Sequence, residues 1–266
     1  MNQLGKRLLV SAGFISLAAL TIFYVPHWFF FIVTEVFILL GLNEFFSLAE
    51  QKGLIIHRGF GLFFGAVLPF TAYYSLQPTL LLMACVALFV FLFNRRSPEK
   101  TITSVAVSMF GIVYVAWFFA YLLKIKLLPQ GSAWVCYTIS IVKAGDAAAY
   151  FVGKKFGKTK LLEHVSPKKS IEGAIAQMVA TIGLSLVSTF YLKGVPLFHL
   201  FVLGTLVGAL ALLGDLAESL IKRDAGVKDS GNIPGLGGML DVMDSLLFTI
   251  PFVYFYLTVF LGLEKL

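Results

Sequence analysis

Hydrophobic positions along this chain come in long unbroken runs, not in the period-two alternation of half-buried strands, and polar or charged residues gather in short stretches between them. Runs of this kind, about 20 residues each, are what a helix needs to cross a hydrocarbon core of roughly 30 Å. The pattern predicts spans at Leu8–Val25, Trp28–Leu48, Gly59–Leu76, Thr79–Phe93, Thr101–Leu123, Ala133–Val152, Ile171–Leu192, Leu197–Ile221 and Met239–Leu261. The predicted fold is therefore all-α, a polytopic integral membrane protein of about nine transmembrane helices. Continuously apolar runs speak for helices over a membrane β-barrel. Thr79–Phe93 is the shortest of the nine.

Composition agrees with the runs. Hydrophobic residues make up 59% of the chain and charged residues 13%, against roughly 25% charged in a soluble domain. The first run follows Lys6 and Arg7 but ends without an Ala-x-Ala cleavage site, so it reads as a retained helix and not a secretory signal. Cys85 and Cys136 lie inside apolar runs and read as buried thiols with no redox or metal role. No repeat or linker divides the chain. It reads as one membrane domain, with 1–130 as scaffold and a source of dimer or lipid contacts, and 131–266 as the half that carries chemistry.

Charge then orients the helices. Nine alternating spans put sixteen of the 21 Lys and Arg residues on one side and only Lys124, Lys126, Lys193 and Lys265 on the other, with Lys143 left inside a helix. By the positive-inside rule the N-terminus is cytoplasmic and the C-terminus outside. The net charge of +7 thus belongs mainly to the cytoplasmic face, where anionic head groups and phosphates are its natural partners. Nucleic acid is not among them, since no basic motif interleaved with aromatics and no soluble domain accompanies the charge.

Acidic residues inside apolar runs are costly and each demands a reason. Asp215 and Glu218 share a helix face with Ser219, and Asp241 and Asp244 repeat the spacing with Ser245. Paired oxygen donors on two helices suit a hard cation. Between them runs a basic Gly-rich loop, Lys222 to Gly238, containing Arg223, Lys228 and Asp229. Its glycines and the helix start beyond it would let backbone N–H groups approach phosphate. A second loop, Gly153 to Ser170, carries six lysines, and it follows Asp146 and precedes Glu172, with Ser170 a possible helix cap. Residues alone lead to a polyphosphate and metal site at the cytoplasmic interface. The four histidines are scattered, Trp28 and Trp134 read as interfacial anchors, and Glu35, Asn43 and Glu44 read as polar packing between helices.

These residues resemble the phosphatidate cytidylyltransferase (CDP-diacylglycerol synthase) family. The resemblance rests on Ser219, Lys228-Asp229, Pro234-Gly235-Leu236-Gly237-Gly238 and Asp241-Val242-Met243-Asp244-Ser245, with an upstream segment carried by Asp146, Tyr150, Gly153, Lys154, Ser166, Pro167, Lys169, Ser170, Glu172 and Gly173. The chain departs from the family pattern at Leu236, where His is usual, and at Val242, where Arg is usual. Altered nucleotide contacts or reduced activity are expected there.

The resemblance implies transfer of CMP from CTP to phosphatidic acid, giving CDP-diacylglycerol and pyrophosphate, by a homodimer in the bacterial inner membrane with its site facing the cytoplasm. It implies Mg²⁺, with a second, monovalent cation such as K⁺ in a paired site. Asp215, Asp241 and Asp244 are then expected as metal ligands, with Glu218 as ligand or support. Lys168, Lys169, Lys222, Arg223 and Lys228 are expected on phosphates, with Asp229, Gly237 and Gly238 in the nucleotide loop. Asp146 and Glu172 would orient lysines or a metal-bound water, and Ser219 a carboxylate. Two other readings stay open: a CTP-dependent kinase of a polyprenol or phytol-type alcohol, and an ion-coupled secondary transporter.

Overall fold

The computed structural model describes residues 21–72, 76–93, 100–233 and 237–263. It is built of helices α1 (His27–Gln51), α2 (Arg58–Val67), α3 (Gln77–Phe93), α4 (Thr101–Lys126), α5 (Gly131–Phe156), α6 (Ile171–Val187), α7 (Leu197–Asp224) and α8 (Met239–Val259). One short antiparallel hairpin, β1 (Lys160–Leu162) and β2 (Ser166–Ser170), interrupts them between α5 and α6. Among the described residues, six helices are long and apolar enough to cross a membrane: α1, α4, α5, α6 with its short 3₁₀ extension, α7 and α8. The chain is an integral membrane protein. Large apolar side chains left on the outside of these helices, such as Val86, Phe89, Ile175 and Val179, have lipid as their solvent.

The helices at two other predicted spans are shorter than these six. The Gly59–Leu76 run becomes α2 followed by a 3₁₀ turn over Leu68–Ala72. Pro69 is the local reason, since it has no N–H to donate to the preceding turn. The Thr79–Phe93 run becomes the 17-residue α3. The first predicted span, Leu8–Val25, lies almost wholly outside the described residues. The hairpin is an addition to an otherwise helical fold.

The chain forms two compact units. One comprises the described residues up to Lys124 together with Ile221–Met243, and the other comprises Ile125–Leu220 with the described residues from Asp244. The boundaries fall inside α4, α7 and α8.

In the first unit, Ile38, Leu42 and Phe46 make a fully buried stripe at four-residue intervals on α1. Gly111 of α4 admits the rings of Phe45 and Phe46, which a Cβ there would meet at 2.8 Å. Six residues of α4, Ile112–Trp117, run as a π-helical turn.

In the second unit, polar contacts join α5, α6 and α7. Tyr137 Oη lies 2.6 Å from Ser185 Oγ, which donates to the Leu200 carbonyl at 2.5 Å. Small residues let membrane helices approach closely enough for such bonds.

Candidate active site

The lysine-rich segment after α5 folds back against the start of α6, and its own backbone dictates how. Ser170 caps α6 by accepting the Gly173 N–H at 3.1 Å, as the sequence predicts. Glu172, in the first turn, accepts the backbone N–H groups of Lys158 at 3.2 Å and Thr159 at 3.1 Å, so it organises the loop backbone. Ile171 donates to the Thr159 carbonyl at 3.0 Å, and Lys160 Nζ to the Pro167 carbonyl at 2.6 Å. A Cβ on Gly173 would lie 2.9 Å from the Ala149 carbonyl oxygen. The strapped hairpin, α5, α6 and α7 thereby line an open cavity of about 610 Å³.

Four lysines line that cavity, Lys154, Lys160, Lys168 and Lys169, together with the carboxylates Asp146 and Asp215. Lys169 pairs with Asp215 at 2.8 Å. Behind this wall, Lys143 Nζ stands 3.2 Å from Asp146 Oδ2, 3.1 Å from Ser245 Oγ and 3.9 Å from Asp244 Oδ1. Gln177 Nε2 donates to the other oxygen of Asp146 at 3.4 Å. Asp244 also accepts the Ser245 N–H at 2.5 Å. Gly214 brings the helix carrying Asp215 against the backbone at Asp244: a Cβ there would sit 2.5 Å from the Asp244 carbonyl oxygen. Glu218 is fully buried and Ser219 nearly so, and neither lines the cavity.

The Gly-rich loop belongs to the first unit and has its own carboxylate system. Asp241 Oδ1 is paired with Lys222. Its Oδ2 accepts the N–H groups of Gly238 at 2.7 Å and Ser230 at 2.8 Å, with Ser230 Oγ at 2.9 Å. Glu44, far away in sequence, accepts the Met239 and Leu240 N–H groups at 2.8 Å each and the Ser230 hydroxyl at 2.8 Å. The anion seated on the N-terminus of α8 is Glu44, Gly238 donates to Asp241, and Gly237 donates to the Ile233 carbonyl at 3.1 Å. Gly237 sits at φ +88°, in the left-handed region that glycine tolerates. Arg223 donates to the Val227 carbonyl at 2.9 Å, while Lys228 and Asp229 are exposed neighbours, 3.9 Å apart. Leu236 lies outside the described residues, and Val242 follows Asp241 on α8.

Asp146, Lys168, Lys169, Glu172, Asp215, Glu218, Ser219 and Asp244 thus fall in the second unit, and Lys222, Arg223, Lys228, Asp229, Gly237, Gly238 and Asp241 in the first. Sequence reasoning left Lys143 without a role, passed over Gln177 and took Glu44 for packing. Lys143 and Glu44 carried one signal each, a charge inside an apolar run. Gln177 carried none.

A polytopic helical membrane protein with a cavity built from ammonium and carboxylate groups is the class that this fold and site define. The chain belongs to the cytidylyltransferase family, whose model matches residues 5–260. It is 30% identical, over a 278-residue alignment, to the phosphatidate cytidylyltransferase of Synechocystis sp., covering 91% of this chain and 93% of that protein. To the phosphatidate cytidylyltransferase of Bacillus subtilis it is 41% identical over 153 residues, 56% of each chain. It is also 35% identical over 150 residues to the uncharacterized protein YnbB of Escherichia coli, covering 56% of this chain and 49% of that protein.

Proposed function

We propose that this chain transfers CMP from CTP to phosphatidic acid, releasing pyrophosphate and forming CDP-diacylglycerol. The observation that carries the proposal is the cavity wall of four lysines with Asp146 and Asp215, in a chain whose near-full-length relative bears that activity in its name. The nucleophile is a phosphate monoester with a second pKa of about 6, so it arrives largely ionised and needs little help from a base. What opposes reaction is the repulsion between two polyanions. Fixed ammonium groups in a restricted cavity relieve it and hold the α-phosphorus for in-line attack. A phosphatidate oxygen forms the new bond to the α-phosphorus, and the bond to the bridging oxygen breaks, that oxygen leaving with pyrophosphate.

A divalent cation fits this reading. Among the described residues no three His, Cys, Asp or Glu side chains are gathered as a ready-made metal cage. Magnesium, however, is ordinarily held by one or two carboxylates, with substrate phosphate and water completing its shell. Asp215 and Asp244, brought near each other by the contact at Gly214, are the carboxylates we assign to it, and Mg²⁺ would supply charge neutralisation to the triphosphate. Asp241 has both oxygens engaged, so we assign it to shaping the Gly-rich loop. Lys168 and Lys169 are assigned to phosphate.

The same proposal retains nine spans, with a cytoplasmic N-terminus and a cytoplasm-facing site, on the strength of the lysine and arginine distribution. It also retains a homodimer in the bacterial inner membrane, from the family resemblance. The reaction is tested by supplying purified protein with CTP, phosphatidic acid and Mg²⁺ and identifying both products. Release of CDP with phosphorylation of an added polyprenol or phytol-type alcohol would move the chain to the CTP-dependent lipid kinases.

A further inference from the structure

Lys143 is a cation within a membrane-spanning helix, a position that is expensive unless the charge is met by partners. Three oxygens meet it: Asp146 Oδ2 at 3.2 Å from the next turn of its own helix, and Ser245 Oγ at 3.1 Å and Asp244 Oδ1 at 3.9 Å from α8. Ser245 Oγ lies 2.7 Å from Asp146 Oδ2 and 3.0 Å from Asp244 Oδ1, so one hydroxyl can donate to either acid while accepting from the ammonium. Asp146 stands in the cavity wall. Lys143 does not line the cavity, so its effect on bound ligands passes through the carboxylates that it holds.

From this geometry we infer that the Lys143 ammonium is the built-in monovalent cation of the carboxylate cluster, a positioning residue that fixes Asp146 and Asp244. The three acids Asp146, Asp215 and Asp244 carry three negative charges, and Lys143 and Lys169 return two. The cluster is left with one negative charge to offer a divalent cation. A separate potassium ion in a paired site, as the family resemblance implies, does not fit here. The oxygens that would surround it are already gathered around an ammonium, which matches potassium in charge and roughly in size. The inference rests on the proposed reaction only where activity is the readout.

The test is cation replacement. The wild-type protein is assayed for CTP-dependent turnover of phosphatidic acid with Mg²⁺ in potassium, ammonium and choline salts of equal ionic strength, and its thermal unfolding in detergent is followed in the same salts. Equal rates and equal midpoints are expected. In Lys143→Ala, turnover falls about a hundredfold, the scale of a misplaced catalytic group. Ammonium, methylammonium or potassium restores a substantial part of it and raises the unfolding midpoint, and choline, too large for the vacated space, does neither. Lys143→Met keeps the stem and blocks the space, so it loses activity without rescue. Lys143→Arg keeps a cation and retains more activity than the Met variant.

The inference is overturned if potassium stimulates the wild-type protein over choline. It is equally overturned if Lys143→Ala matches wild type, or if that variant responds to no small cation in either readout. Should Lys143→Ala not be recoverable, the wild-type salt comparison and the Arg-against-Met comparison decide. Should wild-type protein lack the proposed activity, the thermal comparison still decides this inference by itself.

Discussion

Lys169 and Asp215 sit 2.8 Å apart on the cavity wall, and each is asked to do more than satisfy the other. If Lys169 meets phosphate and Asp215 a divalent cation, Lys169→Met and Asp215→Asn each lower kcat/KM by about a hundredfold, and the double variant loses far less than the product of the two, because residues acting as a unit are non-additive. A purely structural pair would show its loss in thermal stability instead. Glu44 gives the opposite kind of prediction. Its carboxylate serves two backbone donors and one hydroxyl, so Glu44→Ala leaves the start of α8 without its acceptors. A loss of about 2 kcal/mol is expected, read as a lower unfolding midpoint in detergent.

At this scale the sequence announces charges but not their partners. Asp146, Asp215 and Asp244 stood out because an acid in an apolar run has few reasons to be there. Glu44 carried the same mark, but its partners lie almost 200 residues further on, beyond the reach of any local pattern. Lys143 was legible as an anomaly and not as a counter-ion for the same reason.

Among the elements, the hairpin between α5 and α6 is where local backbone chemistry turns into a site. Ser170→Ala removes the cap on α6 and, at about 1 kcal/mol, loosens the strap that holds Lys168 and Lys169 in place. The expected signature is a raised KM for CTP with kcat less affected, measured by steady-state kinetics. Gly214 tests helix approach more severely. A Cβ would meet backbone at Asp244, which cannot swing aside as a flexible side chain would, so Gly214→Val is expected to abolish activity and lower the unfolding midpoint.

Long helices were readable from hydropathy to within a few residues, and the Ser170 cap from its residue type and the turn after it. The hairpin was not: Ser166-Pro167-Lys168-Lys169-Ser170 has no period-two apolar face, and what makes it a strand is its pairing with Lys160–Leu162. The early end of α2 needed Pro69 to be weighed against a strong apolar run.

For the whole molecule, apolar composition and the lysine and arginine distribution made the membrane class legible, whereas the division into two units was not, because its boundaries run through continuous helices and leave no linker. The proposed topology has a direct check in a background lacking Cys85 and Cys136. A cysteine placed at Lys193 should react with a membrane-impermeant maleimide in intact cells, and one at Lys158 only after lysis. The reverse pattern would invert the orientation, and reaction of both in intact cells would contradict placing the two positions on opposite sides.

The central claim is the reaction, and product analysis reaches it most directly. Purified protein given CTP labelled at the α-phosphate, phosphatidic acid and Mg²⁺ should place the label in CDP-diacylglycerol, with one pyrophosphate for each lipid formed and the yield collapsing in Asp215→Asn. Label that stays in soluble nucleotide, or a lipid product that forms equally well in Asp215→Asn, would contradict it.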